Sequence, residues 1–328
     1  MDLYEDMKAS PSKANAITYS TLINALTEGG RWEQAIEVFK TIVLQDLVVP
    51  DMPLFGAVMK ACAEGGQWRM GNTLIDDLKE AGLQPNTRLY NSLLLAYRKD
   101  GLVEQAMQTF ESMYPDVPYD LQTFNNLISV GEAAGNWKMA LEIVIRLEKG
   151  TQLKPTAESY ESLMGAMIRA GEWQKAVAVY ENVRKKRLVK VADMVPVFRG
   201  GIAAHAAGGQ ATEALTVFKE LLELGLQADL EMYTTLLRAC GTSGELGIAL
   251  EVFADMKYSG LSPSPETFGA LISVLINGRR MADAWSQYEA MLDAGVTPQT
   301  DTLKALLAGL SVEGGQAERV RQLQLQIE

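Results

Sequence analysis

A single histidine, His205, and two cysteines, Cys62 and Cys240, are all that this 328-residue chain contains of those two residue types. That supply excludes a disulfide framework and the Cys/His sets that hold structural zinc. One imidazole leaves little room for a nucleophile–His relay, and no P-loop pattern is present. The His-x-Glu and Cys-x2-Cys pair of zinc deaminases is missing as well. Carboxylates are plentiful, but they fall at i,i+3 and i,i+4 spacing on helical surfaces, where solvation accounts for them. The expectation is therefore no enzyme, no metal, no cofactor and no small-molecule substrate.

Long apolar runs are also missing. None reaches the ~18 residues that a membrane-spanning helix needs, so no membrane insertion is expected. The opening stretch MDLYEDMKAS is acidic and resembles neither a signal peptide nor an Arg-rich transit peptide. Positive charge is short too: 30 Lys and Arg stand against 41 Asp and Glu, a net charge of −11. Nucleic-acid binding usually leaves a basic footprint, so any RNA contact has to rest on local charge.

What the sequence does have is a repeat. Residues 87–120 read as two amphipathic helices split by Gly101. Tyr90, Leu93, Leu94 and Tyr97 fall at helical spacing, as do Val103, Ala106, Met107, Phe110 and Met113. One such hairpin cannot bury its apolar stripe alone, and near-copies lie on both sides of it. Complete repeats are expected at 16–51, 52–86, 87–120, 121–156, 157–194, 195–229, 230–264 and 265–299. Partial ones fall at 1–15, where Leu3, Tyr4 and Met7 sit in a second helix, and at 300–328. No strand signal intervenes.

Each repeat carries an aromatic residue at its fourth position, from Tyr19 and Phe55 to Phe268. A glycine follows at the fifteenth, as at Gly30, Gly66 and Gly101, where a tight turn calls for positive φ; in the eighth repeat Gly278 comes one place early. The twentieth position is small throughout (Ala35, Gly71, Ala106, Ala140, Ala176, Ala214, Ala249, Ala284), which lets the two helices cross closely. The fold class expected is all-α, a right-handed α-solenoid of helix–turn–helix repeats of about 35 residues.

The tetratricopeptide repeat is the near rival, but its first helix wants Gly after a Leu where this chain has bulky Ile23, Met59, Leu94 and Ile128. Segments such as ITYSTLINALTEGGRWEQAIEVF and MYTTLLRACGTSGELGIALEVFADMKYSGLSPS closely resemble the pentatricopeptide repeat family, P-type, over nearly the whole chain. The resemblance implies an organellar protein, mitochondrial or chloroplast. It would stabilise or help process transcripts by holding single-stranded RNA in a concave groove, one base per repeat. It also implies that the fifth and last positions of each repeat read the base, with the second positions of adjacent repeats on either side of it. On that basis Ser20 with Asp51 matches the pattern for guanine and Asn91 with Asp120 that for uracil. Asn125 with Thr156 resembles a weak pyrimidine pair, and Thr234 with Ser264 a weak purine pair. Gly56 and Gly269 bring no side chain to a base, and the pairs Glu161/Met194 and Arg199/Asp229 match nothing in the pattern. At the second position only Ile17 is of the family's usual type; Pro53, Arg88, Gln122, Glu158, Pro196, Glu231 and Glu266 hold the others.

Local charge adds Arg88, Arg98, Lys99 and Arg169 to the expected RNA contacts. The acidic total supports a second reading, a scaffold that binds protein subunits of an organellar ribonucleoprotein. Trp32, Trp68, Trp137 and Trp173 share the seventeenth position and are expected to pack on the neighbouring repeat. His205, Cys62 and Cys240 share the eleventh with Leu26, Tyr97 and Met167, a core slot in which no partner for the imidazole is evident. The run Arg184-Lys185-Lys186-Arg187 ends a second helix in a longer, basic connection, expected to be a solvated helix terminus or a contact for phosphates or an acidic partner.

Overall fold

The computed structural model describes residues 15–45, 47–313, 319–321 and 323. The sequence-expected partial repeat at 1–15 lies outside these, Asn15 excepted, as does most of 314–328. All regular structure among the described residues is helical. The chain divides into two compact bodies, Met1–Pro155 and Thr156–Glu328.

In the first body four hairpins follow one another: α1 (Ala16–Glu28) with α2 (Trp32–Leu44), α3 (Met52–Gly65) with α4 (Trp68–Glu80), α5 (Thr87–Asp100) with α6 (Val103–Met113), and α7 (Leu121–Ala133) with α8 (Trp137–Gly150). The second body continues the pattern with α9 (Ala157–Arg169), α10 (Trp173–Lys185), α11 (Val195–Ala207), α12 (Ala211–Glu223), α13 (Leu230–Ser243), α14 (Leu246–Tyr258), α15 (Pro265–Asn277), α16 (Met281–Asp293) and α17 (Thr300–Glu313). A 3₁₀ turn, Val191–Asp193, interrupts the longer connection after α10. Within each body the first helix of a hairpin packs on its own partner and on the first helix of the next hairpin, as in an α-solenoid.

Helices of 11 to 14 residues are marginal alone, and their burial explains why they persist. The fourth-position aromatics are all buried. Each meets an aromatic from the preceding hairpin's second helix where one is present. Phe39–Phe55, Phe110–Phe124, Tyr180–Phe198, Phe218–Tyr233 and Phe253–Phe268 have ring centroids 5.0–6.2 Å apart, mostly edge to face. The small twentieth positions are fully buried, and a Cβ on Gly71 would come within 2.8 Å of Leu93 Cδ1. Leu93 belongs to the next hairpin, and Met59 Sδ of the same hairpin would lie at 3.4 Å, so α4 approaches both neighbours closely where the side chain is missing.

Helix starts are set by the last residue of the preceding repeat. Asp51, Asn86, Asp120, Thr156, Asp229 and Ser264 each accept a hydrogen bond from the amide three residues on. Each thereby satisfies a donor that the helix cannot satisfy internally. The inter-helix glycines from Gly30 to Gly244 take positive φ. In the eighth repeat Gly278 does not; its φ is −77°, and Arg279 occupies the left-handed position with φ 58°. Glycine is thus displaced by one residue there, and an arginine bears the conformation.

Trp32 lies against Gly65 and Trp173 against Gly208, each in the next hairpin. Trp68 Nε1 donates to Asp100 at 3.1 Å, and its ring tilts onto Tyr97. Cys62 and Cys240 are buried. His205 is half-buried, and contrary to the sequence reading its Nδ1 has a partner, Gln210 Oε1 at 3.0 Å, in the turn that follows.

Candidate nucleic-acid interface

Parallel stacking of first helices puts equivalent positions in a row. The second-position residues Ile17, Pro53, Arg88 and Gln122 are exposed along it, and the fifth-position residues sit lower: Ser20 and Asn91 are buried, Gly56 and Asn125 partly so. Every row of this kind has the same logic. Residues at i and i+3 share a helix face.

Asn91 is the best-held of the candidate readers. Its Nδ2 donates to Asp120 Oδ1 at 3.0 Å, while Asn126 Nδ2 in α7 donates to the Asn91 backbone carbonyl at 2.9 Å. The side-chain carbonyl of Asn91 is buried without a hydrogen-bond partner. Asp120 also accepts from the amide and hydroxyl of Thr123, both at 2.8 Å, and so caps α7 and orients Asn91 at once. Partial burial pushes the Asp120 carboxyl up, but these donors, Asn91 first, outweigh it and hold the group below the usual carboxylate range.

Ser20 is placed differently. Its hydroxyl donates to the Ile17 carbonyl of its own helix at 2.9 Å, and Asp51 caps Leu54 at 3.0 Å. Asn125 belongs to the first body and Thr156, which caps α9, to the second. Thr234 donates to its own Leu230 carbonyl, and its oxygen lies 2.9 Å from Thr267 Oγ1, which is itself 3.0 Å from Ser264 Oγ. Three hydroxyls therefore link the fifth and last positions of that repeat.

The cations sort into two groups. Arg88 is exposed and makes no ion pair among the described residues. Lys99 turns back: its ammonium is 3.3 Å from the Gly65 carbonyl and 5.7 Å from the Trp32 ring, and its stem covers Gly66. It serves the end of α3, where helix carbonyls lack partners. Arg98 reaches Ser129 Oγ at 3.4 Å, and Arg169 is exposed in the last turn of α9.

A cleft of about 320 Å³ opens between Pro53 and Arg88, with Gly56 on its floor. A Cβ on Gly56 would meet nothing within 4 Å. Asn24, Lys60, Asn86 and Ser92 give the cleft polar walls. Lys60, 3.0 Å from Glu28, escaped the sequence reading. Its helical spacing of seven from Pro53 and four from Gly56 was the available signal. A second cleft, of about 390 Å³, lies at the other fifth-position glycine, Gly269, between Glu266 and Asp301. Its charged residues are Glu266, Asp301 and Arg238, and the rest of its lining is neutral.

In the second body Arg199, a fifth-position residue, is already occupied. Its guanidinium lies 2.7 Å from Glu161, 2.6 Å from Asp229 and 3.7 Å from Glu231. Burial alone would lower its pKa, but hydrogen bonds to Asp229 and Glu161 and their charges raise it further. These four residues are fifth, fifth, last and second positions of adjoining repeats. The sequence reading places Glu161, Arg199 and Asp229 among mismatched readers and Glu231 at a second position; the structure joins the four to one another. No group of His, Cys, Asp and Glu among the described residues could hold a metal ion, and no described helix is long and apolar enough to cross a membrane.

Three family descriptions match this chain. The pentatricopeptide repeat domain matches residues 114–169 and 216–278, the pentacotripeptide-repeat region of PRORP matches 1–117, and the PPR repeat matches 158–188 and 202–226. A pentatricopeptide repeat-containing protein of Arabidopsis thaliana is 24% identical over 239 residues, which is 73% of this chain and 26% of that protein. Another from the same plant, described as mitochondrial, is 22% identical over 75% of this chain and 30% of its own length. The chain thus spans well under half the length of these relatives. Among solved structures, the maize pentatricopeptide repeat protein PPR10 in complex with an 18-nucleotide psaJ RNA element is similar with a TM-score of 0.71. That match has 20% identity over 98% of this chain and 51% of PPR10.

Proposed function

The chain belongs to the pentatricopeptide repeat family, and from that premise we propose that it holds single-stranded RNA along the row of first helices, without catalysis, in a mitochondrion or chloroplast. The observation that carries this reading is the Asn91–Asp120 pair standing beside the open Pro53–Arg88 cleft. Together they offer a fixed polar edge for one base and an unfilled space for its neighbour. Arg88 can stack its guanidinium plane on a base, worth on the order of 1 kcal/mol or more. RNA held this way shields a transcript or keeps a site open by occupancy alone.

Ser20 with Asp51 selects guanine and Asn91 with Asp120 selects uracil. Thr234 and Ser264 make a weaker purine site. Arg98 and Arg169 add local positive charge, while Lys99 is held at the end of α3. One base per repeat then puts an unread nucleotide, opposite Gly56, between the guanine and the uracil. Selection of binders from a random single-stranded RNA pool tests this. Enrichment of G and U separated by one nucleotide is expected, and it should be lost at the U when Asn91 is changed to Ala. A pool that shows no binding, or binding indifferent to Asn91→Ala and Arg88→Ala, sinks the proposal.

A further inference from the structure

The end of α10 and the loop after it carry five cations and no carboxylate between positions 184 and 190, in a chain whose net charge is −11. Arg184 is tied to Glu220. Lys185, Lys186, Arg187 and Lys190 are exposed and have no ion pair or hydrogen-bonded side-chain partner among the described residues. The helix dipole favours cations in the last turn, which accounts for Arg184 and Lys185. It does not account for Arg187 or Lys190, which lie past the helix end.

Arg187 is the telling residue. The same C-terminal turn closes other second helices, with an amide reaching back five residues: Leu83 to Leu78, Leu226 to Leu221, Leu261 to Met256 and Val296 to Met291, at 3.0–3.2 Å. In all four the residue before that amide is a glycine at positive φ: Gly82, Gly225, Gly260 and Gly295. Leu188 makes the same bond to Val183 at 3.0 Å, but the left-handed residue before it is Arg187, φ 50°. A side chain is strained there and glycine is not. Folding alone favours glycine at 187, so the arginine points to a charge-dependent task. The connection also contains a 3₁₀ turn, Val191–Asp193, with Lys190 at its N-cap.

We infer that the 184–190 loop is a second RNA contact, gripping the phosphate backbone through Lys185, Lys186, Arg187 and Lys190 rather than reading bases. The inference rests on the RNA-binding reading above. Phosphates fit it because four exposed cations on a helix end and the loop after it, without an ion pair among the described residues and with no carboxylate among them, provide charge without shape. The row of first helices in this body is lined by Glu158, Glu231, Glu266 and Asp301 at its second positions, so the loop is its strongest surface for a polyanion.

The test measures binding of a labelled random-sequence single-stranded RNA over a salt series. The full chain is compared with a loop variant (Lys185→Gln, Lys186→Gln, Lys190→Gln), with Arg187→Gly and with the row variant Arg88→Ala/Asn91→Ala. The loop variant should lose at least about tenfold in affinity at low salt, with the slope of log K against log salt smaller by about 2. Arg187→Gly should weaken binding while raising the melting temperature, a combination that a purely structural arginine would not give. If the row variant weakens binding and the loop variants do not, this inference fails and the proposed function stands. If the loop variants weaken it and the row variant does not, the reverse holds. Unchanged binding in every variant overturns both. Loss of binding to polyglutamate with RNA binding unchanged overturns the inference in favour of an acidic protein partner.

Discussion

Asn91 Nδ2 sits 3.0 Å from Asp120 Oδ1, and that same oxygen accepts from the amide and hydroxyl of Thr123. One carboxylate therefore ends one repeat, starts the next helix and fixes the amide of a candidate reader. Asn91→Ala should move the Asp120 pKa up towards its ordinary value of 3.8, because its leading stabilising donor is lost. The sign follows from the depressed pKa. Asp120 contributes stability above the unfolded value near 3.8, and the contribution disappears as pH falls through the lower folded value. Carbon-detected NMR titration of the Asp120 carboxyl in both proteins measures this. An unchanged or lower value in Asn91→Ala would contradict the hydrogen-bond account.

Arg199 presents the opposite arrangement, a cation enclosed by Glu161, Asp229 and Glu231. Arg199→Ala leaves three carboxylates facing each other across two helix steps. The site is about a quarter to two-fifths exposed on the closest pairs, so the loss is smaller than for a fully buried pair: about 1–2 kcal/mol in urea unfolding. About half should return in high salt, which screens the remaining repulsion. If the variant is as stable as the parent at low salt, the cluster contributes nothing. The cluster also keeps Arg199 from a base, so Arg199→Ala should leave RNA affinity near the parent value.

The parts of this fold that were legible in the sequence are those set by one chain position at a time. Helical period, the aromatic at position four, the small residue at position twenty and the glycine turn each have a local cause. Pairings across repeats were not legible. Arg199 and Glu161 are 38 residues apart, and their meeting depends on how far one helix slides along the next. Lys99 had the right charge and the right helix, but the bare carbonyls at the end of α3 claimed it. Arg187 and Arg279 are the non-glycine residues found at positive φ among the described ones. A glycine rule cannot anticipate an arginine in a glycine slot, because the reason lies outside the backbone.

Gly56 and Gly269 occupy the same helical position and should respond differently to a methyl group. At Gly56 a Cβ meets nothing within 4 Å, so Gly56→Ala should stabilise the first body by about 0.5–1 kcal/mol, the usual helix-interior difference. At Gly269 the Cβ would lie 2.6 Å from Oγ1 of Thr302, which is buried, and Thr302 must shift. The gain should be cancelled there. Thermal melting of the two variants compares them directly. Gly56→Leu adds a readout of function: it fills the cleft beside Arg88 and should weaken RNA binding with the fold intact. Full affinity in that variant would mean that no base enters the cleft.

The two thiols give a test of packing that needs no substitution. Burial pushes Cys62 up to about 12, with Lys40 opposing weakly, and pushes Cys240 up to about 11, with Glu245 adding to the shift. At pH 8 the thiolate fraction at Cys62 is then roughly one in ten thousand, and the thiolate is the species that reacts. Neither cysteine should be alkylated by iodoacetamide in the native protein, and both should react once urea unfolds it. Because the folded pKa values are raised, the stability linked to keeping these thiols neutral is fully present below pH 9. It falls as pH rises from the ordinary value of 9.0 towards 11 and 12, as the unfolded chain ionises first. Labelling rates that follow the two bodies separately in urea would show each stack losing its core at its own concentration. Rapid labelling of Cys62 in native buffer would mean that the eleventh position of its helix is not the core slot the structure makes it.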